Sequence, residues 1–138
     1  MATRLNPYLS FRGQAREAME FYRSVLGGEL TVSTFGEFQM AQDPAEQDWV
    51  MHSQLETADG FTLMGADTPS GMDHTVGNAY SVSLSGDDEP QLREWFEKLS
   101  DGGTVQEPFV KAPWGDTFGM VTDKYGVAWM VNAAGAGG

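Results

Sequence analysis

The feature that most constrains this chain is a pattern written twice. Gly60-Phe61-Thr62-Leu63-Met64 and Gly126-Val127-Ala128-Trp129-Met130 each place a glycine ahead of an alternating run that ends in methionine. Around the second copy, the apolar runs 118–122 and 127–131 flank Asp123-Lys124-Tyr125-Gly126. Asp at the start of such a segment initiates a turn and Gly at its end takes a positive φ, so this stretch reads as a β-hairpin. A chain that repeats a strand pattern with about 66 residues between copies is built from two similar halves.

The rest of the chain follows that plan. Residues 5–11 alternate, with Pro7, Leu9 and Phe11 on one face and Asn6, Tyr8 and Ser10 on the other, as in a half-buried strand. Ala15, Ala18, Met19, Tyr22 and Val25 recur at helical spacing, and Gly27-Gly28 stop that helix. Residues 29–35 read as a second strand, 36–48 as a polar, mobile loop, 49–57 as a third strand and 61–66 as a fourth. Residues 67–78 carry Pro69, Gly71 and Gly77 without apolar periodicity and read as a linker. The order then restarts. A strand at 79–85 is followed by a helix that Asp87-Asp88-Glu89-Pro90 open, with Leu92, Trp95, Phe96 and Leu99 on one face and Gly102-Gly103 after it. A strand at 104–111, a loop at 112–117 and the hairpin complete the second half, and 133–138 read as a frayed tail.

The expected fold is therefore α+β: one domain over 1–138, made of tandem βαβββ repeats at about 5–66 and 79–132. The halves align Leu9 and Phe11 with Val82 and Leu84, and Gly27-Gly28 with Asp101-Gly102. Each half leaves one sheet face open, so the two curved mixed sheets pair around a cleft with the helices on the outer face.

Composition narrows the function. The formal net charge is −12, and no Lys or Arg occurs between Ser24 and Leu92. A phosphate backbone or an anionic lipid surface needs the opposite sign, so neither nucleic acid nor membrane is an expected partner. The same field suits a neutral or cationic small molecule. No apolar run reaches the roughly 20 residues of a membrane span, and the N-terminus lacks a signal-peptide apolar core, which reads as cytoplasmic. The absence of cysteine excludes disulfides, thiolate metal sites and cysteine nucleophiles from the chain.

The repeat, with Pro7-Tyr8-Leu9-Ser10-Phe11, Glu17-Ala18-Met19-Glu20-Phe21-Tyr22, Val50-Met51-His52-Ser53 and Trp114-Gly115-Asp116, resembles the vicinal oxygen chelate superfamily and within it the PhnB-like branch. That superfamily includes glyoxalase I, bleomycin-resistance proteins and extradiol dioxygenases. The resemblance implies metal ligands near the start of the first strand and the end of the last strand of each half. Here those positions fall at Asn6, Met64, Ala79 and Met130, none of them a histidine or carboxylate. A divalent ion needs several hard or imidazole donors, so neither a metal nor any other cofactor is expected. The branch is often named for a ubiquinone-pathway methyltransferase, yet the chain has no glycine-rich nucleotide loop.

Of two histidines, His74 lies in the linker beside Asp73 and reads as an exposed loop residue. His52 falls in step with Gln54 and Glu56 and opposite Met51, Ser53 and Leu55, and is the candidate acid or base. The same histidine on a strand also suits a plain cross-strand hydrogen bond. Tyr8, Ser10, His52, Gln54, Trp114 and Phe118 are the expected ligand-binding residues, with Met64 and Met130 as an apolar floor facing each other from the two halves. Tyr8, Trp49, Trp114, Phe118 and Trp129 suit an aromatic box, although spacing also places Trp129 in the core. Three functions follow: a metal-free binder of small molecules, a lyase or isomerase using His52 or an unrecognised divalent metal site, and a homodimeric assembly subunit.

Overall fold

The computed structural model describes residues 3–135 of the chain. Its elements run β1 (Tyr8–Phe11), α1 (Ala15–Leu26), β2 (Glu29–Thr34), β3 (Val50–Glu56), β4 (Thr62–Asp67), β5 (Val82–Gly86), α2 (Glu89–Ser100), β6 (Thr104–Lys111), β7 (Thr117–Thr122) and β8 (Ala128–Ala133). The fold is α+β with βαβββ repeated, in two four-stranded mixed sheets of order β1-β4-β3-β2 and β5-β8-β7-β6. The chain divides into two compact units, Met1–Val76 and Gly77–Gly138, and the division falls inside the expected linker.

In the first unit β1 lies parallel to β4, and β4, β3 and β2 are antiparallel neighbours. The apolar stripe of α1 (Ala15, Ala18, Met19, Tyr22, Val25 and Leu26) is buried on one sheet face, together with Phe11, Val50, Leu55 and Leu63. Alternation put Met51 on that face. A bulge in the β2–β3 pairing, where Ser33 opposes His52 and Thr34 opposes Val50, leaves Met51 unpaired and turns Val50 inward instead.

The second unit repeats this register. Met64 pairs with Tyr8 and Gln54; Met130 pairs with Ser83 and Met120. Aligned on the two methionines, Leu9 matches Leu84 rather than Val82, a shift of two residues from the sequence alignment. The difference follows from where the strands begin: β1 starts at Tyr8 and β5 at Val82, both later than alternation predicts. Leu5 is fully exposed, and Ala79 precedes β5. The glycine pairs also shift by one: Gly28 matches Gly103. A Cβ on Gly28 would lie 2.3 Å from the Glu56 carbonyl oxygen, and one on Gly103 2.3 Å from that of Thr122. Each helix therefore returns to its sheet by running bare backbone against the end of β3 or β7.

Three further expectations are corrected. Asp67 belongs to β4, not to a linker. It is buried, and its carboxylate accepts from the Ala15 N–H and the Val50 N–H, both at 2.9 Å. Gln14 makes no side-chain cap at the start of α1, so the cap comes from the far end of the sheet instead. The 36–48 loop contains a 3₁₀ turn, Pro44–Glu46, with Asp43 accepting from the Ala45 N–H and a buried Glu46 accepting from the Ser70 N–H. The polarity of this segment is thus partly internal. Finally, Ala133 ends β8 and is buried, while the Ala134 N–H donates to the Gly86 carbonyl at 2.7 Å. The tail is held through Gly135, and 136–138 lie outside the described residues.

The second helix matches expectation closely. Asp88 accepts from the Gln91 N–H, Pro90 sits in the first turn, and Leu92, Trp95, Phe96 and Leu99 are buried. In the hairpin, Asp123 does more than open the turn. Its carboxylate accepts from the Tyr125 and Val127 N–H groups and from Trp129 Nε1 at 2.8 Å, and Trp129 is fully buried.

Candidate functional site

With α1 on one face of the first sheet, the other face carries the side chains that alternation turns away from the helix. One cross-strand row reads Tyr8, Met64, Gln54 and Thr31, taken in turn from β1, β4, β3 and β2. Ser10 and Ala66 pair next to it, as do Ser33 and His52. Four of the expected ligand-binding residues, Tyr8, Ser10, His52 and Gln54, therefore share this open face.

Two of them touch. The Tyr8 hydroxyl lies 3.0 Å from His52 Nδ1, with the rings 5.7 Å apart and tilted by 37°. Tyr8 stands on β1 and His52 on β3, so the bond reaches across β4. Tyr8 remains 49% exposed, and its phenol is pushed above the usual tyrosine pKa by the part of its surface that is buried. Gln54 turns the other way along β3 and donates from Nε2 to Glu56 at 3.0 Å. Arg4 closes that end, 4.0 Å from Glu56 and donating to Thr62 Oγ1. The face thus has a hydrogen-bonded phenol–imidazole pair at one end and a solvent-exposed Arg–Glu pair at the other.

The open face of the second unit is chemically different. Register places Phe118 where His52 stands, Met120 where Gln54 stands and Ser83 where Tyr8 stands. Trp114, 67% exposed on the β6–β7 loop, lies 6.4 Å from Phe118 with the rings tilted by 56°. Asp116, in the same Trp114-Gly115-Asp116 stretch, is a functional residue that no local pattern marks. The Asp116 carboxylate accepts from the Gly135 N–H at 2.9 Å and from Asn132 Nδ2 at 3.1 Å, and these bonds, the backbone one first, hold it below the usual carboxylate range. It pins the loop that carries Trp114 to the end of β8.

The aromatic box is reduced. Trp129 is core and bonded to Asp123, and Trp49 is half-buried against Gly13 in the β1–α1 turn. Trp114 and Phe118 remain together on the second unit. A surface depression among Glu20, Arg23, Ser24, Gly27 and Gly28 lies at the end of α1 and contains none of these residues.

The sequence matches the Glyoxalase/Bleomycin resistance protein/Dioxygenase superfamily over residues 4–131, nearly the whole length. The chain belongs to that superfamily. It is 32% identical over 139 residues to Protein YjdN of Escherichia coli K12, covering 93% of each chain. Among solved structures, protein PA1353 from Pseudomonas aeruginosa is 36% identical with a TM-score of 0.81, over 96% of this chain and 98% of that one. A PhnB protein from Bacillus cereus, named for 3-demethylubiquinone-9 3-methyltransferase, is 27% identical with a TM-score of 0.78, over 96% and 100%.

The superfamily resemblance implies a divalent metal, and its ligand positions here are Asn6, Met64, Ala79 and Met130. Met64 and Met130 sit on β4 and β8, whereas Asn6 and Ala79 precede the first strand of their units. Thioether and methyl groups offer no hard donor, and among the described residues no three His, Asp or Glu side chains come together. This donor set does not fit the metal.

Proposed function

We propose that this chain is a PhnB-like, metal-free small-molecule binding protein, taking its ligand on the open face of the first sheet. The observation that carries this reading is the Tyr8–His52 hydrogen bond. It holds two polar groups in fixed geometry on a half-exposed surface that Met64 floors with a soft apolar side chain. Gln54 and Ser10 add polar groups on the same face. Within the second unit, Trp114 and Phe118 form an aromatic pair that we propose as a further ligand-contacting surface of that unit. The net charge of −12 favours neutral or cationic ligands over anions. We place the protein in the cytoplasm as a homodimer, a state that light scattering on the purified chain measures directly.

A second reading is catalysis by His52 as acid or base, in the manner of a lyase or isomerase, and the same hydrogen bond favours it. Methyl transfer, which the name of the Bacillus cereus relative suggests, has less support. Gly27-Gly28 and Gly102-Gly103 follow helices rather than open them, so they do not cradle a nucleotide.

The test combines metal analysis with a binding screen. The purified protein, incubated with Fe(II), Mn(II), Ni(II) or Zn(II) and dialysed, is expected to retain no stoichiometric metal. A thermal-shift screen of small cationic and neutral aromatics is expected to yield ligands whose stabilisation is lost in His52→Ala. Metal retained near one per chain would overturn the metal-free reading. Ligands that bind His52→Ala undiminished would move the site off this face.

A further inference from the structure

Two rings and a carboxylate meet at one end of the second sheet. Phe118, near the start of β7, pairs with Asn132 on β8 and with Val110 on β6, so the three share the open face. Asn132 Nδ2 donates to Asp116 Oδ2 at 3.1 Å, which sets the carboxylate of the β6–β7 loop beside that row. Trp114, on the same loop, stands 6.4 Å from Phe118 with the rings inclined at 56°. Rings inclined in this way form two walls of a corner. Centroids 6.4 Å apart allow one cation to lie within about 6 Å of both, the range in which a ring quadrupole attracts it.

The charge beside the rings is negative and uncompensated. Asp116 accepts from two neutral donors, the Gly135 N–H and the Asn132 amide, and among the described residues it forms no ion pair with Lys or Arg. Those same bonds keep it ionised below the usual carboxylate range. Lys111, at the end of β6, pairs with Thr117, which is buried and bonds Glu89 of α2, so it lies on the face opposite Phe118. A cation is therefore the ligand that this corner attracts, and the occupied oxygens decide which kind. Each carboxylate oxygen already accepts one hydrogen bond, and the walls are rings, so few acceptors are free. A primary ammonium or a guanidinium would leave N–H groups short of partners. A fully methylated ammonium has no N–H to satisfy, and its methyl groups pack on aromatic faces. Val110, 58% exposed, adds an apolar edge for them. We propose that Trp114, Phe118 and Asp116 form a half-open aromatic cage for a small quaternary ammonium compound. This rests on the reading of the Trp114–Phe118 pair as a ligand-contacting surface, and names the class of ligand.

The experiment titrates the full chain with choline, with its neutral isostere 3,3-dimethylbutan-1-ol and with ethanolamine. The readout is the NMR shift of the Trp114 indole N–H, whose signal is identified by its loss in Trp114→Phe. In wild type, choline is expected to bind about tenfold more tightly than the neutral alcohol, as two exposed cation–π contacts supply. Choline is also expected to bind more tightly than ethanolamine. Phe118→Leu is expected to weaken choline more than the alcohol, and Asp116→Asn to weaken choline several-fold while the alcohol is unchanged. The wild-type comparison needs no folded variant and separates the two levels of the argument. Equal affinities for choline and the alcohol overturn the cation assignment and leave an apolar ligand surface standing. Ethanolamine bound as tightly as choline overturns the preference for a fully methylated cation. No movement of the Trp114 signal with any of the three overturns both the cage and the surface.

Discussion

Asp67 shows how much a single buried carboxylate can organise here. Asp67 holds the first turn of α1 and the start of β3 from the end of β4, through two backbone N–H groups. Replacing it with alanine strands both donors in the interior, and hydrogen bonds to a charged acceptor contribute about 1.5–3 kcal/mol each. Asp67→Ala is therefore expected to lower stability by about 3 kcal/mol or more, read as a fall in the urea midpoint at unchanged slope. At the surface, Tyr8 gives a different signature. Its folded pKa lies above the unfolded value of about 10. Its contribution to stability is accordingly complete below that unfolded value and lost as pH rises through the folded one. The difference in tyrosinate absorbance between wild type and Tyr8→Phe is expected to titrate above the range of free tyrosine; a midpoint at or below it would show that burial does not govern this phenol.

The two helices approach their sheets over glycines, but with unequal room. A Cβ at Gly65 would meet the Met19 sulfur at 3.0 Å, the flexible end of a long side chain. At Gly119 it would meet the Phe96 ring at 2.8 Å and the Phe109 backbone at 2.9 Å, neither of which can swing away. Gly119→Ala is expected to cost about 1–3 kcal/mol by overpacking, and Gly65→Ala less, as compared by thermal melts of the two variants. Equal losses would show that both helices shift freely on their sheets. The loop carrying Trp114 depends on Asp116, whose folded pKa is depressed. Its stabilising effect is present above the unfolded carboxylate range of about 4 and is lost as pH falls through the folded value. Wild type is expected to melt above Asp116→Asn at neutral pH and to converge with it in acid; a constant gap would assign the effect to shape rather than charge.

For the molecule as a whole, the charge of −12 on 138 residues is the dominant long-range force. Self-repulsion opposes compactness and is screened as the Debye length falls from about 30 Å at 0.01 M salt to about 3 Å at 1 M. The melting temperature is expected to rise with sodium chloride across that range. No rise would mean that the acids are already paired or well separated in the folded state.

Periodicity, turn chemistry and caps were enough to determine both helices, the β6 strand, the closing hairpin and the repeat. Each of those signals is local, written within a few residues of the structure it directs. The open-face candidates Tyr8, Ser10, His52 and Gln54 were legible for the same reason, since alternation on a strand names its faces. What the sequence did not reveal comes from residues far apart in the chain. The bulge at Met51 depends on β2, the roles of Asp67 and Asp116 on residues 16 to 52 positions distant, and the two-residue shift between repeats on which strand pairs with which. The Tyr8–His52 bond belongs to this second kind: 44 residues separate the partners, and only the parallel placement of β1 beside β4 brings them within reach. Pairing between distant strands has no local code, because its free energy comes from contacts that exist only once the sheet has formed.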